Sequence, residues 1–169
     1  MQYIFWDKHF DVVHEPFNEQ HKEIFRLQNR VVNLLCGDAS PHELSPVLNG
    51  LIRYSQSHFK DEEALMAKYG YADLSGHQLE HERLVMRIFA LTEELGKEHF
   101  NRDRLLAFLN TWITGHIMKV DMEYRIFFLE KLPAIKERIA GEETAAAASD
   151  SRAKTTGTPD NDENRAMNG

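Results

Sequence analysis

Apolar positions recur at alternating spacings of four and three along four separate stretches of the chain, which keeps one face of an α-helix turned inward. The first stretch reads Phe17, His21, Ile24, Gln28, Val31, Leu35 and stops at Gly37, with Asn18 as its predicted N-cap. The second reads Leu44, Leu48, Leu51, Ser55, His58, Glu62, Leu65, Tyr69 and stops at Gly70. Its start is marked by Ser40-Pro41-His42-Glu43, an N-cap serine, a first-turn proline and a glutamate that completes a capping box. Pro46 falls in the second turn, where it either costs a hydrogen bond or marks a later start. The third stretch, Leu74, His77, His81, Leu84, Ile88, Leu91, Leu95, carries Ser75 and Gln78 as its predicted capping pair and ends at Gly96. The fourth, capped by Asn101, presents Leu105, Leu109, Trp112, His116, Val120 and Tyr124, with Asp121 next to the stripe. Pro133 disfavours a helical Leu132 and predicts a break there.

No strand alternation and no repeat interrupts residues 1–140, so the pattern predicts an all-α, up-down-up-down four-helix bundle over that range. An N-terminal arm, residues 1–17, has no sustained period but holds Tyr3, Ile4, Phe5, Trp6, Phe10, Val12, Val13 and Phe17, and is expected to pack along the bundle. From Gly141 to Gly169 the chain turns to Ala, Ser, Thr, Gly and mixed charges, a composition that predicts a disordered tail, with Ala145 to Ala148 able to extend the last helix transiently.

Composition narrows the function classes. At 169 residues and 42% apolar, the chain has enough material for one domain with a real core. A formal charge of -7 with no basic block argues against a nucleic-acid footprint. Cys36 is the only cysteine, which excludes an internal disulfide and a thiolate metal site and fits a reducing compartment. Neither a signal-peptide pattern nor an apolar run of about 20 residues is present, so a soluble, cytoplasmic protein is expected.

The polar residues on the apolar stripes change the picture most. His21 on the first helix, His58 and Glu62 on the second, His77 and His81 on the third, and His116 with Asp121 on the fourth all fall on or beside inward faces. A buried polar group is costly without a partner, and the i, i+4 pairs can reach one point beside the helix axis. Imidazole and carboxylate together suit iron, manganese or zinc. Five imidazoles and two carboxylates are too many for one zinc, whereas two metals sharing both carboxylates would take three imidazoles on one ion and two on the other. The two-imidazole ion would keep an open position, and a pair of redox metals can give one electron each to dioxygen. The i, i+5 spacing of His116 and Asp121 is the awkward part, because it separates them by about 140° on an ideal helix. His9, His14, His42 and His99 are expected to be mostly solvated, with His14 the one placed to approach the site.

Four segments carry a resemblance: Gln20-His21-Lys22, the run His58-Phe59-Lys60-Asp61-Glu62-Glu63-Ala64-Leu65-Met66, the pair His77 and His81, and Trp112-Ile113 through His116-Ile117 to Asp121. In order and spacing they resemble the hemerythrins, specifically the bacterial single-domain members, over about residues 1–130, and Trp6 is similar to the tryptophan that opens many of them. The resemblance implies that His77, His81 and His116 bind one iron, His21 and His58 the other, and that Glu62 and Asp121 bridge them together with a solvent-derived oxygen. Dioxygen would bind at the two-histidine iron, in a pocket lined or closed by Phe59, Trp112, Ile113, Ile117 and Tyr124. The implied function is reversible dioxygen binding for storage or delivery by a monomer. The alternatives are an oxygen or redox sensor, or a di-iron enzyme that reduces peroxide or oxidises iron; no Glu-x-x-His motif of the ferritin class occurs. One departure stands out: Asn18 occupies the place where bacterial members usually carry an aspartate.

Overall fold

The structure is a computed structural model in which residues 3–37, 39–131 and 133 are described. After a 3-10 turn at Lys8–Phe10, four helices follow: α1 (Glu15–Cys36), α2 (Pro41–Tyr69), α3 (Leu74–Thr92) and α4 (Arg102–His116). The chain then makes a π turn over Ile117–Asp121 and returns to helix from 122 onward. No strand occurs among the described residues, and the elements form the four-helix bundle expected from the pattern. The compact unit that contains them ends at Leu129. The 141–169 tail and Leu132, where a break was expected, lie outside the described residues.

Helix α2 is delimited as its sequence prescribes. The Ser40 hydroxyl accepts the Glu43 N–H while the Glu43 carboxylate accepts the Ser40 N–H, closing the capping box. At the other end Gly70 adopts φ 71°, and the Tyr71 N–H reaches back to the Met66 carbonyl, the bond pattern of a Schellman motif. Pro46 does not delay the start; the helix runs through it from Pro41. The helix tolerates it because Pro46 and His42, whose carbonyl loses its partner, are both exposed to water.

Two predicted starts are corrected. Helix α1 begins at Glu15, not after Asn18, because Pro16 supplies the preset backbone angle of a first turn and the carbonyl of His14 accepts the N–H groups of Phe17 and Asn18. Asn18 is therefore a buried residue inside the helix. Its Oδ1 accepts from the Val12 N–H at 3.0 Å, and its Nδ2 donates to Asp11 at 3.0 Å and Glu15 at 3.3 Å. Helix α3 begins at Leu74 with Asp73 as its cap residue, so Ser75 and Gln78 are already helical and form no capping pair; the helix proper ends at Thr92, short of Gly96. The Asn101 cap of α4 forms as expected, its side chain accepting from the Arg104 N–H at 2.9 Å.

The arm lies against α1. Ile4 exchanges hydrogen bonds with the Asn29 side chain at 2.9 and 2.6 Å, and Phe10 meets Phe25 edge-on at 5.0 Å. The arm turns into α1 at Val13, which holds φ 61°, a conformation that a β-branched residue adopts at a cost of about 1–3 kcal/mol. Its N–H is fixed by Asp11 at 2.7 Å, and the Arg125 guanidinium donates to the Asp11 carbonyl at 2.9 Å.

Candidate metal centre

The fourth helix resolves the awkward spacing of His116 and Asp121. In a π turn the backbone bonds run from i to i+5, as the Met122 N–H does to the Ile117 carbonyl. Residues five apart then sit one above the other as residues four apart do in a regular helix. His116 Nε2 accordingly lies 3.0 Å from Asp121 Oδ1. The inward stripe of this helix runs His116, Asp121, Tyr124, Phe128, and Val120, expected on that face, is turned half out.

All seven candidate ligands converge, and each is buried. The two carboxylates face two ways. Glu62 turns Oε1 toward His58 and His21 (3.4 and 3.6 Å) and Oε2 toward His81 and His77 (3.5 and 3.8 Å). Asp121 turns Oδ1 toward His116 and His77 (3.0 and 3.7 Å) and Oδ2 toward His21 (3.4 Å). Donors about 2.1 Å from a shared ion lie about 3.0–3.5 Å from their neighbours and about 4.2 Å from a donor across the ion, and the separations of 3.0–3.8 Å fall between these limits. Two groups emerge: Glu62, His77, His81, His116 and Asp121 around one point, and His21, His58 and Glu62 around a second.

All of these donor atoms except Glu62 Oε1, which accepts from Tyr124, lack another partner. The Nε2 atoms of His21, His58, His77, His81 and His116, with Glu62 Oε2 and both Asp121 oxygens, are buried without a hydrogen-bond partner in the protein. Orphaned groups of this kind each cost about 1–3 kcal/mol unless a cation meets them. The donor set therefore fits a metal pair. The electrostatics of His58 and of the two carboxylates point the same way, whereas at His116 burial is outweighed by the charge of Asp121 and its hydrogen bond, which raise the imidazole. Burial pushes the His58 imidazole down to about 4, against the opposing pull of Glu62, so it is neutral at pH 7. Burial would raise Glu62, but the imidazoles that face it, His58 first and then His21, His77 and His81, outweigh it and hold the carboxyl well below its usual range. At Asp121 burial and the Glu62 charge push upward, and His116 and His21 bring the carboxyl below its usual value. Neutral imidazole and ionised carboxylate are the forms that bind a cation.

The surrounding shell is largely aromatic. Phe59 stacks on His81 at 3.9 Å, Tyr124 lies 5.5 Å from His77 and donates its hydroxyl to Glu62, and Phe17 meets His58 edge-on at 6.0 Å. Burial and the Glu62 charge raise the Tyr124 hydroxyl well above its usual value, which keeps it a donor. Trp112, Ile113 and Ile117 are buried as well, Trp112 donating to Gln28 at 2.9 Å.

Four polar residues around the cluster have roles there that the sequence does not assign. Gln20 meets His58 Nδ1 at 2.8 Å, Glu63 meets His81 Nδ1 at 2.7 Å, Gln78 donates to Glu63 at 3.2 Å, and Gln28 holds Trp112. Gln20, Glu63 and Gln78 each adjoin a candidate ligand in sequence, and Gln20 and Glu63 lie within segments that carry the family resemblance, but nothing there assigns them a partner. Among the remaining histidines, His9, His42 and His99 are exposed as expected, but His14 is half-buried. Its ring lies 4.2 Å from that of Phe17, its Nδ1 lacks a partner, and burial lowers its basicity.

Comparison with known proteins agrees with this geometry. The family profile described as the hemerythrin HHE cation binding domain matches residues 13–125, a span that holds all seven cluster residues. The chain belongs to the hemerythrin family. It is similar to the bacteriohemerythrin of Methylococcus capsulatus, 36% identical over 109 residues that cover 63% of this chain and 82% of the relative. It is also similar to a hemerythrin-like protein of Naegleria gruberi, at 32% over 120 residues, 71% of this chain and 89% of the relative. A crystal structure of wild-type hemerythrin superposes with a TM-score of 0.66 at 32% identity, covering 73% of this chain and 95% of that one. Hemerythrins are oxygen-binding proteins with a metal centre, and in this hemerythrin the His/carboxylate cluster is the group able to hold one.

Proposed function

We propose that this hemerythrin binds two iron ions and takes up dioxygen reversibly at them, for storage or delivery. His77, His81 and His116 hold one ion, His21 and His58 the other, and Glu62 and Asp121 join the two. The observation that carries this reading is the orientation of the two carboxylates, each with one oxygen toward either imidazole group. An iron pair held by these residues would supply the reversible two-electron chemistry that dioxygen binding needs. The chain's own residues do the rest. His21 and His58 would bring one imidazole fewer to their ion than His77, His81 and His116 bring to theirs, so dioxygen would be taken up on the side of His21 and His58. Phe59, Trp112, Ile113, Ile117 and Tyr124 line the pocket and exclude water, which would otherwise drive the bound state to irreversible oxidation. Tyr124 orients Glu62 by donating its hydroxyl, so the shared carboxylate keeps one geometry.

No described helix is long and apolar enough to cross a membrane. The single cysteine, Cys36, fits a reducing compartment such as the cytoplasm. The test is to load the chain with iron, reduce it without oxygen, and follow its visible absorption as oxygen is admitted and withdrawn. A band that appears and disappears reversibly, with two irons per chain, is expected; irreversible conversion or turnover of added peroxide would overturn the carrier reading.

A further inference from the structure

Of the five imidazoles that aim Nε2 at the cluster, His58 and His81 also have a partner on Nδ1, and the two partners differ in charge. Glu63 Oε1 lies 2.7 Å from His81 Nδ1, and Gln78 Nε2 donates to the other carboxylate oxygen, Oε2, at 3.2 Å. A carboxylate only accepts, so His81 carries its proton on Nδ1 and presents a bare Nε2 to the cluster. On the other side Gln20 donates its amide to Asp61 at 2.9 Å, which turns its carbonyl oxygen toward His58 Nδ1 at 2.8 Å. Both rings are thereby fixed in the same tautomer. By contrast, the Nδ1 atoms of His21 and His77 are buried without a partner.

The asymmetry follows the division of the cluster. His81 belongs to the group of Glu62, His77, His116 and Asp121, and His58 to the group of His21 and Glu62. An anionic acceptor on the outer nitrogen makes an imidazole a stronger donor through the inner one, and a stronger donor favours the more oxidised ion. A neutral amide fixes orientation without that effect. We infer that Glu63 is a positioning residue that acts through His81 to lower the reduction potential of the three-imidazole metal position relative to the two-imidazole one. This rests on the two-iron reading above. It assigns the electronic difference between the two ions to one half-buried carboxylate and the glutamine that holds it, neither of which is a ligand.

The test compares wild type with Glu63→Gln, Glu63→Ala and Gln78→Ala, beginning with a metal count. Zinc-loaded protein reports structure without redox chemistry. Nitrogen NMR should find the His81 proton on Nδ1 in wild type and in Glu63→Gln, whose amide oxygen still accepts. Zinc affinity should fall 10–100-fold only in Glu63→Ala. Potentiometric titration of the iron-loaded proteins is then expected to give two one-electron steps. Glu63→Gln should raise one of them by a tenfold change in its equilibrium constant, about 59 mV, and leave the other nearly still. Gln78→Ala should shift the same step by less. Equal movement of both steps, or none, in a Glu63→Gln protein that holds two irons per chain would overturn the role of Glu63 alone. A wild-type chain that holds fewer than two metals would overturn the two-iron reading, and this inference with it.

Discussion

Asn18 works in two directions at once, accepting from the arm through its oxygen and donating to two carboxylates through its nitrogen. An aspartate there could accept but not donate, and would stand against Asp11 and Glu15. The negative charge that Asn18 lacks relative to the bacterial pattern is thus supplied by its neighbours. Asp11 is the more telling of these. The hydrogen bond from the Val13 N–H, then that from Asn18, hold its carboxyl below its usual value. A lowered folded value means that the contribution to stability is complete above the unfolded value, about 3.9, and is lost as pH falls through the folded one. Asp11→Ala should therefore cost about 1 kcal/mol at pH 7, a figure discounted because the group is half-exposed. Urea titrations at descending pH should find the gap between variant and wild type closing below the folded value. The cluster residues were legible one by one because imidazoles and carboxylates on apolar stripes stand out. Gln20, Glu63 and Gln78 were not, since off-stripe polar residues are the ordinary content of a helix surface.

Among the elements, the ends that announce themselves chemically were readable. Ser40 with Glu43, Gly70 and Asn101 each satisfy backbone groups with their own atoms, and each forms where the sequence places it. The starts of α1 and α3 were misread because a capping residue type need not cap. Asn18 had better partners in Asp11 and Val12, and Gln78 in Glu63. Pro46 is a defect within the α2 ladder. Replacing it with alanine restores a donor to the α2 ladder and removes a clash with the carbonyl four residues back. Part of that gain is offset by the freer unfolded chain. Pro46→Ala is expected to stabilise the protein by about 1–2 kcal/mol, read as a higher urea midpoint with an unchanged slope.

On the scale of the molecule, the bundle gathers its unsatisfied charge at one internal point, so metal uptake and folding are one equilibrium. His77→Ala and His116→Ala should lower iron content and melting temperature together, and a strong chelator should bring wild type down toward them. At a thousandfold excess of free metal over Kd the linkage is worth about 4 kcal/mol. Normal iron retention in both variants would contradict the ligand set. The bundle itself was readable from four stripes, because helices of this length bury one face whatever their caps do. The route by which Asp121 reaches that face was not, because periodicity assumes a uniform turn and α4 departs from one between Ile117 and Asp121. That departure amounts to a surplus residue: five positions occupy the turn that four would fill, and the extra length is taken up where Met118 and Lys119 face solvent. Deleting Lys119 should let the helix close into an unbroken ladder with His116 and the aspartate still on one face, retaining two metals and gaining about 1 kcal/mol from one regular hydrogen bond. Loss of metal in that deletion would mean that the wide turn, and not the face it restores, is what holds Asp121 in reach.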